Sequence, residues 1–479
     1  MIRNLKPYPA YKDSGVPWLG QVPEHWDVVP NRALLRPRKD VVGADAGDYT
    51  LLSLTKQGII PRDLENAKGK FPTNFDSYQL VLPGDLVFCL FDIDETPRTV
   101  GLSTLGGMIT GAYDRFECLN PSDGQFVYYY YLAMDNGKRL KPLYTGLRKV
   151  IQRSTFMSAK MPLPPVSEQA AIVRYLDHAD RKVRHAIRAR QQLIKLLTEQ
   201  KQAIIQRAVT RGLDPNVRLK PSGVPWLGDV PEHWGVDKIK HLARPGYKTF
   251  VDGDWIESPY ITSDGIRLIQ TGNIGIGTYR EQGFRYVNGE TFDSLSCTEV
   301  MPGDVLICRL GDPVGRACLA PRLGVRMITS VDVCILKPRA DINPVFLVNV
   351  MTSRQYLSWV GSLVRGSTRD RVSRSMLGGF TLPMPPLLEQ DTIVRFLNNA
   401  TASLDKAIDA AHRELDLLRE YRTRLIADVV TGKLDVRDVP VPDDETDAMP
   451  EELEAAADGE ATDPTDDAAE TESGSEETA

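Results

Sequence analysis

The sequence predicts an α+β protein built of two mixed α/β modules, each followed by a long helix. The two helices are expected to pair antiparallel as a coiled coil, and the chain to form a pseudo-two-fold internal repeat. Three observations carry this reading. The segment Ser14–Trp26 recurs as Ser222–Trp234 with a single change, Gln21 to Asp229. The block Pro162–Leu176 recurs as Pro383–Leu397, sharing Pro-Pro-x-x-Glu-Gln-x-x-Ile-Val-Arg. Each second block then opens a run without Gly or Pro, and Glu168 to Thr210 spans 42 steps, as does Glu389 to Thr431. Self-similarity of this kind is the first signal to weigh, because it sets the architecture before any single element.

The first pair of repeats is 208 residues apart and the second 221, so the regions between them differ in length while the following runs do not. In the first run Ile172, Leu176, Ala179, Val183, Ala186, Leu193, Leu197 and Ile204 fall at three- and four-residue spacing. In the second, Ile393, Leu397, Ala400, Leu404, Ala407, Ala411, Leu418, Tyr421 and Leu425 do the same. That spacing predicts helices with one apolar seam. Gly212 and Gly432 stand where such helices should stop. At 1.5 Å per residue each is about 60–65 Å long. Neither helix hides its stripe alone, and equal lengths suit two helices packed against each other as a spacer.

The variable regions read as mixed α/β with more strand. Gly84–Phe91 and Gly303–Cys308 follow Pro-Gly-Asp turns, and Thr50–Leu54 and Arg267–Gln270 are further strand candidates. The resulting boundaries are modules at 1–160 and 215–381, helical regions at 161–214 and 382–439, and a tail at 440–479. The tail carries 16 Asp and Glu, no Lys or Arg, and few aliphatic residues. It cannot bury enough apolar area to offset its ordering entropy, so it is expected to be disordered.

The 479 residues have a formal charge of −6, yet outside the tail 58 basic residues face 48 acidic ones. The basic excess is +3 in 1–160, +4 in 215–381 and +5 in 161–214, against −2 in 382–439. Such a body permits a polyanionic partner. No apolar run approaches the roughly 20 residues needed to span a bilayer, and the start, Met1–Lys6, does not read as a secretory signal. The six cysteines form no C-x-x-C pair and read as buried thiols of a reducing compartment. Catalytic signatures are missing. No phosphate-binding G-x-x-x-x-G-K-[ST] loop, H-E-x-x-H pair or base-methylation motif is found, and Gly275-x-Gly277 lacks the rest of a dinucleotide fingerprint. His25 and His233 lie inside the repeats, which suits a structural role, and neither a metal site nor a catalytic residue is expected.

With the doubled Pro-Pro-x-x-Glu-Gln-x-x-Ile-Val blocks, the doubled Trp-Leu-Gly-x-Val-Pro-Glu-His-Trp entries, Gln270–Ile274 and Pro302-Gly303-Asp304, the chain resembles the specificity (S) subunit of type I restriction-modification enzymes, from residue 1 to about 435. The resemblance implies two target-recognition domains, at 1–160 and 215–381, each reading one half of a split double-stranded DNA target. It implies helical regions that space them and dock two modification (methyltransferase) subunits, joined by restriction (ATP-dependent translocase and nuclease) subunits. S-adenosylmethionine, ATP and Mg then belong to those partners. The chain itself is not an enzyme but part of a DNA endonuclease and adenine methyltransferase complex, cytoplasmic and serving host defence against foreign DNA. Rival readings are a free-standing regulator that binds a bipartite site and a helical scaffold that binds only proteins.

Phosphate contacts give affinity, and base edges are read by Arg or Lys at guanine and Asn or Gln at adenine. On that chemistry the candidate DNA contacts are Lys56, Gln57, Arg62, Arg148, Lys149, Gln152 and Arg153 in the first module. In the second they are Gln270, Asn273, Arg309, Arg316, Arg365, Thr368, Arg369 and Arg371. The seam and partner surface is expected at Ile172, Leu176, Val183, Leu197, Ile393, Leu397, Leu404, Leu418 and Leu425. The acidic tail offers a competitor for the basic body. Deleting residues 440–479 should therefore raise non-specific DNA affinity at low salt, measured by fluorescence anisotropy; unchanged affinity would leave the tail a solubilising extension.

Overall fold

The computed structural model describes residues 5–62, 75–144, 146, 149–364 and 370–442. Arg148, Arg365, Thr368, Arg369 and the tail from 443 onward lie outside the described residues. The chain divides into two compact units, Met1–Gln191 with Arg413–Ala479, and Gln192–His412.

In the first unit the doubled entry segment folds as a hairpin. Tyr11–Asp13 pairs antiparallel with Gln21–Pro23, and the intervening turn needs left-handed backbone at Gly15 and Gly20. Asp27–Pro30 then pairs with Lys160–Leu163, so the first strand after the hairpin meets the last strand before the long helix. Between them lies an antiparallel sheet in the order Leu35–Arg38, Asp114–Cys118, Leu86–Phe88, Val100–Leu102. Phe88, Phe116 and Phe156 fill its core together with Tyr131 of the helix Gly124–Asn136.

The second unit repeats these parts. Leu219–Pro221 pairs with Asp229–Pro231, and Gly235–Lys238 with Thr381–Met384. Its main sheet runs Phe250–Asp252, Val333–Leu336, Val305–Cys308, Ala317–Leu319, again antiparallel. A further sheet, absent from the sequence-based expectation as a unit, is centred on Ile266–Ile269, which pairs antiparallel with Tyr286–Val287 and parallel with Met327–Thr329.

Each Pro-Gly-Asp turn leads into a central strand through a glycine at positive φ, +94° at Gly84 and +92° at Gly303. The aspartate has two tasks. Asp85 accepts the Leu82 amide at 2.6 Å and pairs with buried Arg115 at 2.6 Å; Asp304 accepts the Met301 amide at 2.8 Å and pairs with Lys337 at 2.9 Å. All six cysteines are free and buried. Burial pushes the Cys118 and Cys318 thiols up to about 12, which keeps them protonated.

The long helices are Val166–Arg211 and Leu387–Val430, each opening just after a Pro-Pro pair and closing on a left-handed glycine, Gly212 or Gly432. Ile172, Leu176, Ala179 and Val183 are buried at the head of the first, and Ile393, Leu397, Ala411 and Leu425 along the second. Leu197, Leu404 and Leu418 keep partial exposure. Leu193 is 40% exposed, and burial passes instead to Ile205, Ala208 and Val209. The reason is geometric: 3.6 residues per turn drifts about 20° per heptad from a 3.5-residue stripe, so a seam counted over many turns leaves the contact face. In the first unit the head of the first helix runs against the end of the second, through Asp180–Arg422 and the two-pronged Arg190–Glu414 contact at 2.6 and 2.8 Å. In the second unit Lys201 meets Asp405. Within the first unit residue numbers rise on one helix as they fall on the other, so the local pairing there is antiparallel.

A carboxylate joins helix to module in both units. Glu168, 5% exposed, accepts hydrogen bonds from the Trp26 indole (2.9 Å) and the Tyr8 hydroxyl (2.6 Å), and contacts His25 Nε2 at 2.7 Å. Glu389 contacts the Trp234 indole at 3.0 Å and His233 Nε2 at 2.8 Å. The two doubled sequence blocks are therefore the two halves of one junction. The end of the other helix closes over it: a Cβ on Gly432 would sit 2.3 Å from Pro23 and 3.2 Å from Trp26, and one on Gly212 would sit 3.3 Å from Trp234 and Glu389.

Stranding buried donors costs about 1–3 kcal/mol each. Glu168→Ala is expected to destabilise its unit by roughly 3 kcal/mol. Glu389→Ala, whose carboxylate is 30% exposed and holds one donor fewer, should cost about half as much. Urea unfolding followed by tryptophan fluorescence measures both, and equal losses would contradict the asymmetry of burial.

Candidate nucleic-acid interface

The first unit presents Lys56 and Gln57 at the tip of a hairpin formed by Leu52–Thr55 and Gly58–Pro61. Thr55 and Gly58 are paired, so these two residues are the turn itself. Gly58 has φ of +117°, and the Gln57 amide donates to Thr55 Oγ1 at 3.1 Å. Both side chains are exposed, as is Arg62, which follows the second strand and whose amide donates to the Leu51 carbonyl at 2.8 Å. Lys149 takes a left-handed backbone (φ +46°) and pairs with Glu95 at 2.9 Å and Asp94 at 3.5 Å. The hydrogen bond to Glu95 raises its pKa, so it stays cationic. Gln152 stands exposed before the short helix Arg153–Ser158, and Arg153 Nε donates to Asp114 at 2.7 Å.

In the second unit several expected contact residues are occupied by the fold itself. Asn273, 3% exposed, accepts the Gln270 amide at 2.8 Å and donates to the Arg280 and Gln282 carbonyls at 2.9 and 2.8 Å. With Gln270 it forms a reciprocal cap on the short turn Thr271–Asn273. Arg316 donates to the carbonyls of Ile274 (2.7 Å), Pro313 (2.9 Å) and Thr271 (3.1 Å). Arg309 is 4% exposed and donates to the Val331 and Val372 carbonyls at 2.7 and 3.1 Å. A buried guanidinium that donates to backbone carbonyls is costly to extract, so these three side chains are engaged by the fold rather than projecting from it. Arg371, by contrast, is half exposed and leans on Asp332 at 2.7 Å. Arg374, which the sequence reading did not single out, is similarly open and lies 3.9 Å from Asp252. Its position three residues after Arg371 was the available signal.

The chemistry on offer is hydrogen-bond donation and positive charge. Among the described residues no group of three or more His, Cys, Asp or Glu could hold a metal ion, and no helix is long and apolar enough to cross a membrane. The exposed donors fall on turns and loops carried by sheets, which suits recognition that varies while the scaffold stays fixed.

No protein-family profile matches the chain. Curated relatives do. The type I restriction enzyme MjaVIII specificity subunit of Methanocaldococcus jannaschii is 20% identical over 439 residues, covering 88% of this chain and 95% of the relative. The putative type I restriction enzyme MjaX specificity subunit of the same organism is 22% identical, covering 88% of this chain and 96% of the relative. The EcoBI specificity subunit of Escherichia coli is 24% identical over 60% of each chain. Among solved structures, a chain from work on the complex assembly and conformational transition of a type I restriction-modification system superposes with a TM-score of 0.58 at 16% identity, covering 86% of this chain and 99% of that one. The fold is thus that of the solved chain.

Proposed function

We propose that this chain, a relative of the type I restriction enzyme specificity subunits, is the DNA-reading component of such a complex and carries none of its catalysis. Recognition domains at 1–160 and 215–381 each contact one half of a bipartite duplex target. The helical regions at 161–214 and 382–439 form a continuous antiparallel coiled coil that sets the distance between them and docks two modification subunits. Restriction subunits complete the assembly in the cytoplasm, where it acts on foreign DNA. S-adenosylmethionine, ATP and Mg are bound by those partners.

The observation that carries this reading is the doubling. Both units contain the same junction of tryptophan, histidine and helix-head glutamate. Both contain the same Pro-Gly-Asp turn and the same order of sheet strands, while their exposed donors differ. Two copies of one scaffold with different surface groups suit two different half-sites on one ligand. In this reading loops 56–62 and 149–153 in the first unit, and Arg371 in the second, contact the DNA. Phosphate contacts among them would make binding fall steeply with salt, and base contacts would supply the discrimination.

The experiment is co-expression with a modification subunit followed by genome-wide mapping of methylated adenines; the expected pattern is two short half-sites at one fixed gap, and a pattern without a fixed gap contradicts the reading. A spacer built from helices also fixes rotation, since B-DNA completes a turn in about 10–10.5 base pairs. Inserting four residues, about one helical turn, beside Leu197 should change the required gap or abolish methylation, and an unchanged gap would refute the ruler.

A further inference from the structure

Arg309, Asp252 and Asp332 meet at one end of the second unit's main sheet. Asp252 ends the edge strand Phe250–Asp252, Asp332 immediately precedes Val333–Leu336, and Arg309 immediately follows Val305–Cys308. Arg309 Nε lies 2.9 Å from Asp252, and its terminal nitrogen lies 3.7 Å from Asp332. Each aspartate is shared with one exposed arginine: Asp332 with Arg371 at 2.7 Å, Asp252 with Arg374 at 3.9 Å. The side chains of Arg371 and Arg374 are 52% and 46% exposed, whereas that of Arg309 is 5% exposed. The backbone is tied at the same place. The Val372 amide donates to the Arg309 carbonyl at 2.9 Å, the Gly311 amide to the Asp370 carbonyl at 3.0 Å, and Leu310 bridges Arg371.

The first unit supplies an internal control. Counting 219 residues back from Asp304 and Cys308 gives Asp85 and Cys89, and from Arg309 it gives Leu90. Leu90 is buried, and its carbonyl accepts the Ile151 amide at 2.8 Å, as that of Arg309 accepts the Val372 amide. The same backbone arrangement therefore forms around an apolar side chain. The backbone arrangement does not require a charge at this position, whereas removing Arg309 alone leaves Asp252 and Asp332 without a buried partner, which is destabilising.

We propose that Arg309 is a positioning residue: through Asp252 and Asp332 it sets the posture of Arg371 and Arg374, the exposed guanidinium groups with which the second unit contacts its DNA half-site. This rests on the reading of that unit as a DNA-recognition domain. The charge balance makes the arrangement useful. Three guanidinium groups face two carboxylates, so the cluster keeps one positive charge and both outer arginines are held without being neutralised. Without Arg309, two carboxylates would face two arginines, the outer pair would be drawn inward, and approaching phosphates would meet no net charge.

The test uses the full complex with its modification subunit, methylating a library of targets randomised in both half-sites. Arg309→Leu, which installs the residue of the first unit, deprives Asp252 and Asp332 of their buried partner and two backbone carbonyls of a donor, and is expected to lower the melting temperature without preventing assembly of the complex. It should weaken discrimination at the second unit's half-site by roughly tenfold or more, the size of one lost bidentate contact, with the other half-site unchanged. Arg309→Lys, which keeps the charge but cannot bridge both aspartates, should recover part of the loss. If Arg309→Leu prevents assembly of the complex, Asp332→Asn, which releases Arg371 and leaves Arg309 paired with Asp252, is read instead and should weaken the same half-site. Unchanged discrimination in whichever variant is read, beside a specific wild-type complex, overturns the inference alone. A wild-type complex without bipartite preference overturns the functional reading and the inference with it.

Discussion

Each long helix begins with a carboxylate around which its unit is assembled. Glu168 draws together the indole of Trp26, the imidazole of His25 and the hydroxyl of Tyr8, and Glu389 does the same for Trp234 and His233. A carboxylate this enclosed is tolerable only with its oxygens satisfied, and the donors come from a segment more than 140 residues earlier in the chain. The junction thereby closes the module on itself. Its first strand after the entry hairpin pairs with its last strand before the helix, and the other helix ends on a left-handed glycine seated close against the tryptophan. A single polar contact thus dictates where a helix starts, where its partner stops and how the module's ends meet.

Once that frame is set, the interior of each module is free to diverge. The main sheets share their strand order, yet the partner of the turn aspartate is an arginine in one unit and a lysine in the other. The second unit carries a buried Arg309 where the first has Leu90. The helix-flanked junction stays constant, and the loops carrying exposed donors change. Under the proposed function this division suits a reader of two unlike half-sites, because altered loops change which base edges are met while the junction of each unit stays as it is.

Much of this architecture was legible in the sequence, and the reason is that its signals are local or repeated. Helix ends follow from Pro-Pro and Gly212 or Gly432, strands from Pro-Gly-Asp followed by apolar runs, and the doubling from identity alone. What escaped was long-range. Nothing in Pro-Glu-His-Trp reveals that its indole and imidazole seek a carboxylate far along the chain, although the parallel doubling of both blocks was a hint that they act together. Arginine was the least legible residue, since residue type does not disclose burial. Arg309 and Arg316 read as surface donors but are consumed by carbonyls, while Arg374 passed unnoticed and is open. The apolar stripe is buried at the helix heads, where a compact core encloses it, and partly exposed mid-helix at Leu193 and Leu197.

The proposed function requires two modules that each read DNA separately. The most direct measurement exploits the sequence identity at both borders: residues 27–163 are replaced by residues 235–384, so that both positions carry the second module, and the methylation target of the resulting complex is mapped. The account predicts a symmetric target in which the second module's half-site appears twice, in inverted orientation, across a defined gap. A target that keeps the original first half-site, or that shows no relation to the second, would contradict it.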